Sequence, residues 1–429
     1  MINIEDKKDK NVFKKIFSEN WEKFKELNPK YNIDQYNDVV DKMLKCGTEL
    51  GGYSEFRCMD CGIDFRRVPF SCKSMFCLSC AKVYTDNFVS KVSEMLHPGM
   101  RYRHVILTIP EQLKKYFYKD RVEGKLLSEL FKTGYRCLEE VIEDKFRKKL
   151  KIGIIVVLQT YGRSGEYNPH LHVIITNGGF DEEKNEWKEL KYLPFEILHR
   201  KWQYHLLDMM RRKIKTYEMG KLVDEMYIRY PKGFVANISK GEAPRKGKGL
   251  AIYLAKYIAS PPISVRRILD YDGKRVTYWY KDHKTKKVKK ETVEVIVFVG
   301  RMVQHILPKG FQRVRYYGIQ ATKSLKVWRE KIKNSVKKLK GRIKDVYEIV
   351  KKLDYRERYK KGCGKDPFIC SYCGGEMVIC RIWHSKYGVI YDEFERIKKG
   401  IYEKRDREGG HDVRTDNEVL QLSMFEMQF

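Results

Sequence analysis

The chain is 429 residues long, 42% apolar and 34% charged, a composition ordinary for a folded globular protein, which sets disorder aside. Its 88 Lys and Arg against 57 Asp and Glu leave a formal charge of +31 spread along the chain, and such a surplus favours polyanions because neutralised phosphates release their counterions. No apolar run approaches the roughly 18 residues of a membrane span, and MINIEDKKDK carries no signal-peptide pattern, so the expected location is the cytoplasm, at the nucleoid if DNA is the partner.

Residues 1–45 form a helical N-terminal segment, with Val12, Ile16, Trp21 and Phe24 near one side and no evident chemistry. Residues 46–82 hold Cys58-x-x-Cys61 and Cys77-x-x-Cys80, fifteen residues apart. Closely placed thiolate pairs of this kind suit a tetrahedral zinc ion, and 11 cysteines in an intracellular chain point to metal rather than disulfides. Cys46 and Cys72 are further thiols that could alter the ligand set. Arg66, Arg67 and Lys73 put positive charge between the pairs.

Residues 83–322 read as the main domain. A connecting helix near 84–95 leads to RHVILTIP at 103–110, an alternating strand ended by Pro110. A helix over about 125–150 then delivers the chain to GIIVVLQTYG at 153–162, a β-rich apolar run bounded by glycines. A short polar connection follows, and the chain returns in NPHLHVIIT, 168–176, as the second strand of a hairpin. Side chains alternate faces in a strand, so His170, His172, Ile174 and Thr176 point one way and Leu171, Val173 and Ile175 the other. Two imidazoles on one strand face can hold a divalent metal if a third ligand arrives from a neighbouring strand, and the Gln159 amide oxygen is placed to do so. By itself the same pair is equally a satisfied polar face.

His199 and His205 fall on a helix over 194–217, where packing or surface roles suffice. GFVANISK at 233–240 reads as a strand and GEAPRKGKG as a basic loop feeding the helix LAIYLAKYIAS, 250–260. That helix places Tyr253 and Tyr257 four residues apart on one face. Alone, the pair reads first as an aromatic core face; Lys256 beside it and Arg266 and Arg267 just after it turn the reading toward phenols facing phosphate. A phenol with a pKa near ~10 is a weak nucleophile at neutral pH and needs a polarised electrophile, which a metal at the histidines would supply. RVTYWYKD and TVEVIVFVG read as β-rich. RMVQHILPKG and FQRVRYYG read as a helix followed by a basic strand, with Lys309, Arg313 and Arg315 as DNA contacts and His305 as a ligand, a phosphate contact or, beside Ile306 and Leu307, a packing residue. Residues 323–361 form a basic helical segment. Residues 362–404 form a second zinc knuckle on Cys370-x-x-Cys373-Gly-Gly, with Cys363, Cys380 and His384 as candidate partners, and 405–429 a loose tail.

In this order, the double-knuckle cysteine region, RHVILTIP, VVLQTYG, NPHLHVIIT, YLAKYIASPPIS and HILPKGFQRVRYYG resemble the rolling-circle, two-tyrosine HUH transposases of the insertion sequence ninety-one family. The resemblance runs from about Cys46 to Gly318. It implies an α+β fold, an HUH-nuclease antiparallel sheet with the histidine strand central and the tyrosine helix packed across it, plus small zinc-binding modules. It implies His170 and His172 as the metal pair and Tyr253 and Tyr257 as nucleophiles. Many members carry histidine where this chain has Gln159, and an amide oxygen suits Mg2+ or Mn2+ at least as well. The implied chemistry is metal-assisted transesterification of single-stranded DNA at element ends and target DNA through a 5′-phosphotyrosine, with Zn2+ structural. A plasmid rolling-circle replication initiator or relaxase would use the same chemistry. A zinc-dependent DNA-binding protein without catalysis is the reading from a different class.

Overall fold

The computed structural model describes residues 11–97, 100–238, 249, 252, 261–282, 285–340 and 352–400. Tyr253, Lys256 and Tyr257 lie outside them. The chain divides into two compact units, one of Met1–Val40 with Ser74–Lys352, the other of Asp41–Lys73 with Leu353–Phe429.

The larger unit is built on a five-stranded sheet in the order Val314–Gly318, Gly153–Tyr161, Tyr167–Thr176, Tyr102–Thr108, Ala236–Ile238. Every neighbouring pair is antiparallel, so the histidine strand is central, flanked by its hairpin partner and by the RHVILTIP strand. The near-continuous apolar runs follow from burial on both faces. Val105, Leu107, Ile154, Val156, Leu158, Leu171, Val173 and Ile175 pack under the helices Lys125–Phe146 and Phe195–Lys213. On the opposite face Tyr102, Ile155, Val157 and Ile174 meet Phe88, Val89 and Val92 of the helix Ala81–Met95. The fold is therefore mixed helix and antiparallel sheet, the α+β class expected.

Local structure departs from the sequence reading over 194–217 and in TVEVIVFVG, and the helical segment expected over 323–361 is a helix at Leu325–Lys340 with a separate helix, Tyr355–Cys363, in the smaller unit. The helix expected over 194–217 ends at Lys213, and Thr216 starts a second helix, Tyr217–Arg229, its hydroxyl accepting from the Met219 amide at 3.2 Å. TVEVIVFVG, read as strand, is strand only to Glu294, the end of a hairpin registered Arg275↔Glu294; Val295–Val303 is helix. Its Val295, Phe298, Val299 and Met302 recur at helical spacing and are buried, and Phe298 meets Phe13 of the N-terminal helix Val12–Leu27 with ring centroids 6.5 Å apart. An aromatic partner surface here overrides the β-propensity of the valines.

The smaller unit is a four-stranded sheet in the order Gly388–Asp392, Met377–His384, Gly52–Cys58, Phe65–Pro69. Gly52 pairs with His384 and Cys58 with Met377 across a bulge at Glu55 and Phe56. Segments that the sequence presents as separate zinc modules, 46–82 and 362–404, thus share one sheet and one small core of Phe56, Phe368, Met377, Ile379 and Ile382. Among the described residues no helix is long and apolar enough to cross a membrane.

Candidate active site and thiol cluster

Cross-strand register assembles the histidine site. His170 lies opposite Gln159 on one side and Thr108 on the other, and His172 opposite Val157 and Ile106. His172 Nε2 sits 3.1 Å from His170 Nε2 and 3.0 Å from Gln159 Oε1. His170 Nδ1 is 2.7 Å from the Asn168 carbonyl, which can only accept, so this nitrogen carries the proton and Nε2 presents its lone pair inward. The buried phenol of Tyr161 hydrogen-bonds the Gln159 side chain, which leaves Oε1 facing His172. Burial pushes the His172 imidazole well below its ordinary pKa, with His170 and His104 adding to the effect, and lowers His170 as well. Both rings are therefore neutral near pH 7, the form that ligates metal.

Two imidazole nitrogens and an amide oxygen converge here, a donor set that fits a divalent cation. Their separations of 3.0 and 3.1 Å match the edge of an octahedron with bonds of ~2.1 Å, which is about 3.0 Å. The oxygen in the set favours Mg2+ or Mn2+ over a purely soft-ligand ion.

One member of the site escaped the sequence reading. His104, 2% exposed on the RHVILTIP strand, places Nε2 2.9 Å from His172 Nδ1, and the two rings stack at 5.1 Å with a 17° interplanar angle. Burial, then the charge of His170, lowers it to about 4, so it too is neutral. Strand alternation puts it on the same face as Ile106 and Thr108, but only knowing which strand pairs with the histidine strand would have marked it.

Other candidates separate by environment. His305 is buried, with Nε2 2.8 Å from the Gly165 carbonyl and Nδ1 3.2 Å from the Thr160 hydroxyl, so it packs rather than ligates. Arg266 and Lys309 are exposed. Arg267 is half-buried over the Trp279 ring at 5.8 Å, and Arg313 half-buried, 3.2 Å from Met75 Sδ. Arg315 lies opposite Val156, on the face away from the histidines. It donates to the Ser128 carbonyl (3.2 Å) and hydroxyl (2.6 Å) and lies over Phe131, so its guanidinium is already engaged inside the fold. Tyr253, Lys256 and Tyr257 are outside the described residues.

In the smaller unit the thiols of Cys58, Cys61, Cys370 and Cys373 lie within 4.8 Å of one another. The pairing differs from the one the sequence suggests, since Cys58 and Cys61 meet Cys370 and Cys373 rather than Cys77 and Cys80. The latter two form their own turn, Cys80 N–H donating to the Cys77 carbonyl at 3.1 Å, at the start of the helix Ala81–Met95 in the larger unit, with both thiols buried. Cys72 N–H points to Cys46 Sγ at 3.3 Å. Cys380 is buried in the sheet with its thiol toward the Glu55 carbonyl, and His384 stacks near Phe70, so neither joins the four.

Comparison with known proteins matches the histidine strands and the first cysteine knuckle. Residues 153–327 match the family model described as "Putative transposase", and residues 16–109 match "Transposase zinc-binding domain". The chain is 27% identical over 368 residues to the transposase for insertion sequence element IS801 of Pseudomonas savastanoi pv. phaseolicola, covering 80% of this chain and 82% of the relative. It is 27% identical over 372 residues to "Putative transposase y4qJ" of Sinorhizobium fredii (strain NBRC 101917 / NGR234), covering 82% and 90%. No solved structure matches.

Proposed function

The chain belongs to the transposases of the insertion sequence ninety-one family, and on that premise we propose that it cleaves and rejoins single-stranded DNA at element ends and in target DNA by tyrosine transesterification. The observation that carries this reading is the convergence of His170, His172 and Gln159 at the centre of an antiparallel sheet, inside the residues that match the transposase model.

His170 Nε2, His172 Nε2 and Gln159 Oε1 would hold the divalent ion. When bound, Mg2+ or Mn2+ supplies positive charge that polarises the scissile phosphate and offsets the charge growing on it. The protein's own groups do the rest. Tyr253 or Tyr257 attacks phosphorus through its phenolic oxygen as its proton departs; the tyrosine–phosphorus bond forms, the bond to the 3′-oxygen breaks, and that oxygen leaves as a hydroxyl. The resulting 5′-phosphotyrosine keeps the bond energy, so a 3′-hydroxyl rejoins the strand by the reverse step without ATP. Two tyrosines permit two such linkages in turn. His104 is a positioning residue. For His172 Nε2 to offer its lone pair, Nδ1 must carry the proton, and His104 Nε2 at 2.9 Å accepts it. Lys256, Arg266, Arg267, Lys309 and Arg313 steer and hold backbone phosphate, while the cysteine knuckles, those of Cys77 and Cys80 included, would be held by zinc when it is bound. The site of action is the cytoplasm, at the DNA. The curated relatives, named as transposases, favour this reading over a plasmid initiator or relaxase.

Purified protein incubated with labelled single-stranded DNA from its element ends and Mn2+ or Mg2+ should yield a denaturation-resistant adduct that disappears when Tyr253 and Tyr257 both become Phe. A wild-type protein that binds the DNA tightly yet gives no adduct with either metal would leave only a DNA-binding module.

A further inference from the structure

We infer that Cys58, Cys61, Cys370 and Cys373 hold one tetrahedral zinc ion, so that the zinc-binding domain is completed by residues 353–400, which lie outside both regions matched to known families. The proposal concerns ligand identity and domain completion, and it stands independently of the transesterification chemistry.

Four observations carry it. First, the sulfur separations are those of a shared ion. Cys58 and Cys373 thiols are 3.5 Å apart and Cys61 and Cys370 thiols 3.7 Å. A tetrahedron with zinc–sulfur bonds of ~2.3 Å has edges of about 3.8 Å. A disulfide needs ~2.0 Å, and all four cysteines are free.

Second, the two pairs have the same local fold. In each Cys-x-x-Cys-Gly turn the glycine amide donates back to the first cysteine's carbonyl, Gly62 to Cys58 at 3.1 Å and Gly374 to Cys370 at 3.2 Å. Both glycines take positive φ, +69° and +74°, where a Cβ would be strained. Amides also point at sulfur, Tyr372 N–H at Cys370 Sγ and Gly375 N–H at Cys373 Sγ, each 3.4 Å away, an arrangement that stabilises thiolates.

Third, the knuckles are bolted together by groups that bind no metal. Asp64, following the first knuckle, accepts from the Ser371 amide and hydroxyl inside the second, each at 2.9 Å. Arg66 pairs with Asp64 at 2.8 Å and donates to the carbonyls of Pro367 (3.1 Å) and Ile369 (3.2 Å). Such outer contacts orient the ligating turns.

Fourth, the strand that leads into the first knuckle pairs directly with the strand that leaves the second, Cys58 opposite Met377. Zinc and sheet therefore close the same junction between segments some three hundred residues apart in sequence. The domain can assemble only when the chain beyond the catalytic region is present.

The test uses the full chain expressed with zinc. C370S/C373S should lose one zinc per chain relative to wild type, and Cys58 and Cys61 should become open to iodoacetamide, mapped by mass spectrometry. C77S/C80S should leave Cys58 and Cys61 protected. Should the double serine variant not fold, C373H decides the matter. With Co2+ as the probe, it should keep a tetrahedral site whose thiolate-to-cobalt absorption falls as one sulfur is replaced by nitrogen. The proposal is overturned if C370S/C373S keeps its zinc with Cys58 and Cys61 protected, if C77S/C80S exposes them instead, or if the C373H cobalt spectrum equals that of wild type.

Discussion

Replacing His104 by Phe tests the positioning role most sharply. The ring volume and the stack on His172, at 5.1 Å between centroids, are largely kept, but the acceptor 2.9 Å from His172 Nδ1 is removed. Without metal the loss is small, because His172 can switch tautomer and donate Nε2–H to Gln159 Oε1, 3.0 Å away. With metal bound, Nε2 must give up that proton, and Nδ1–H is left buried without its partner. An unpaired buried donor costs ~1–3 kcal/mol, and loss of an outer partner to a ligating histidine typically weakens metal binding ~10–100-fold, or about 1.4–2.7 kcal/mol. The penalty should therefore fall on Mn2+ affinity and not on folding. Titration of Mn2+ monitored by the electron paramagnetic resonance of the free ion should show H104F weakened ~10–100-fold, with an unfolding midpoint close to wild type, and H104Q, whose amide oxygen can accept, recovering most of the loss. Wild-type Mn2+ affinity in H104F, alongside its loss in H170A, would refute the role.

Other outcomes follow from the same geometry. Q159L removes the only oxygen among the three donors and should lower Mn2+ affinity by ~10-fold or more, while Q159H should restore divalent-ion binding with a preference moved toward softer metals; equal Mn2+ affinity in Q159L would exclude Gln159 as a ligand. Lys309→Ala, an exposed change, should reduce the salt dependence of DNA binding by about one counterion with no effect on unfolding, whereas Arg315→Ala should lower stability by ~1–3 kcal/mol and leave the salt slope alone. Burial lowers His97 to about 4 and His305 to about 3. Their unfolded pKa is ~6.5, so between these values the unfolded chain binds more protons, and stability is flat above about pH 6.5 and falls as pH drops. Each should cost ~1.4 kcal/mol at pH 5.5, and an unfolding midpoint unchanged between pH 7.5 and 5.5 would contradict this.

What could be read from the chain alone was what local geometry governs. Strand alternation put His170 and His172 on one face, and a short connection brought Gln159 opposite His170, because a hairpin's register follows from a few neighbouring residues. Likewise each Cys-x-x-Cys-Gly is a knuckle wherever it stands. Tertiary structure decided every question of partnership. His104 joins the site only because the RHVILTIP strand pairs with the histidine strand from the far side. Cys58 and Cys61 face Cys370 and Cys373 only because strands from opposite ends of the chain share a sheet, and no spacing rule within residues 46–82 encodes that. Val295–Val303 is helical because the aromatic face of Val12–Leu27 receives Phe298, a contact across almost the whole larger unit in sequence. Backbone and side-chain periodicity is a property of adjacent residues, whereas the choice among several competent partners is made by burial over the whole fold.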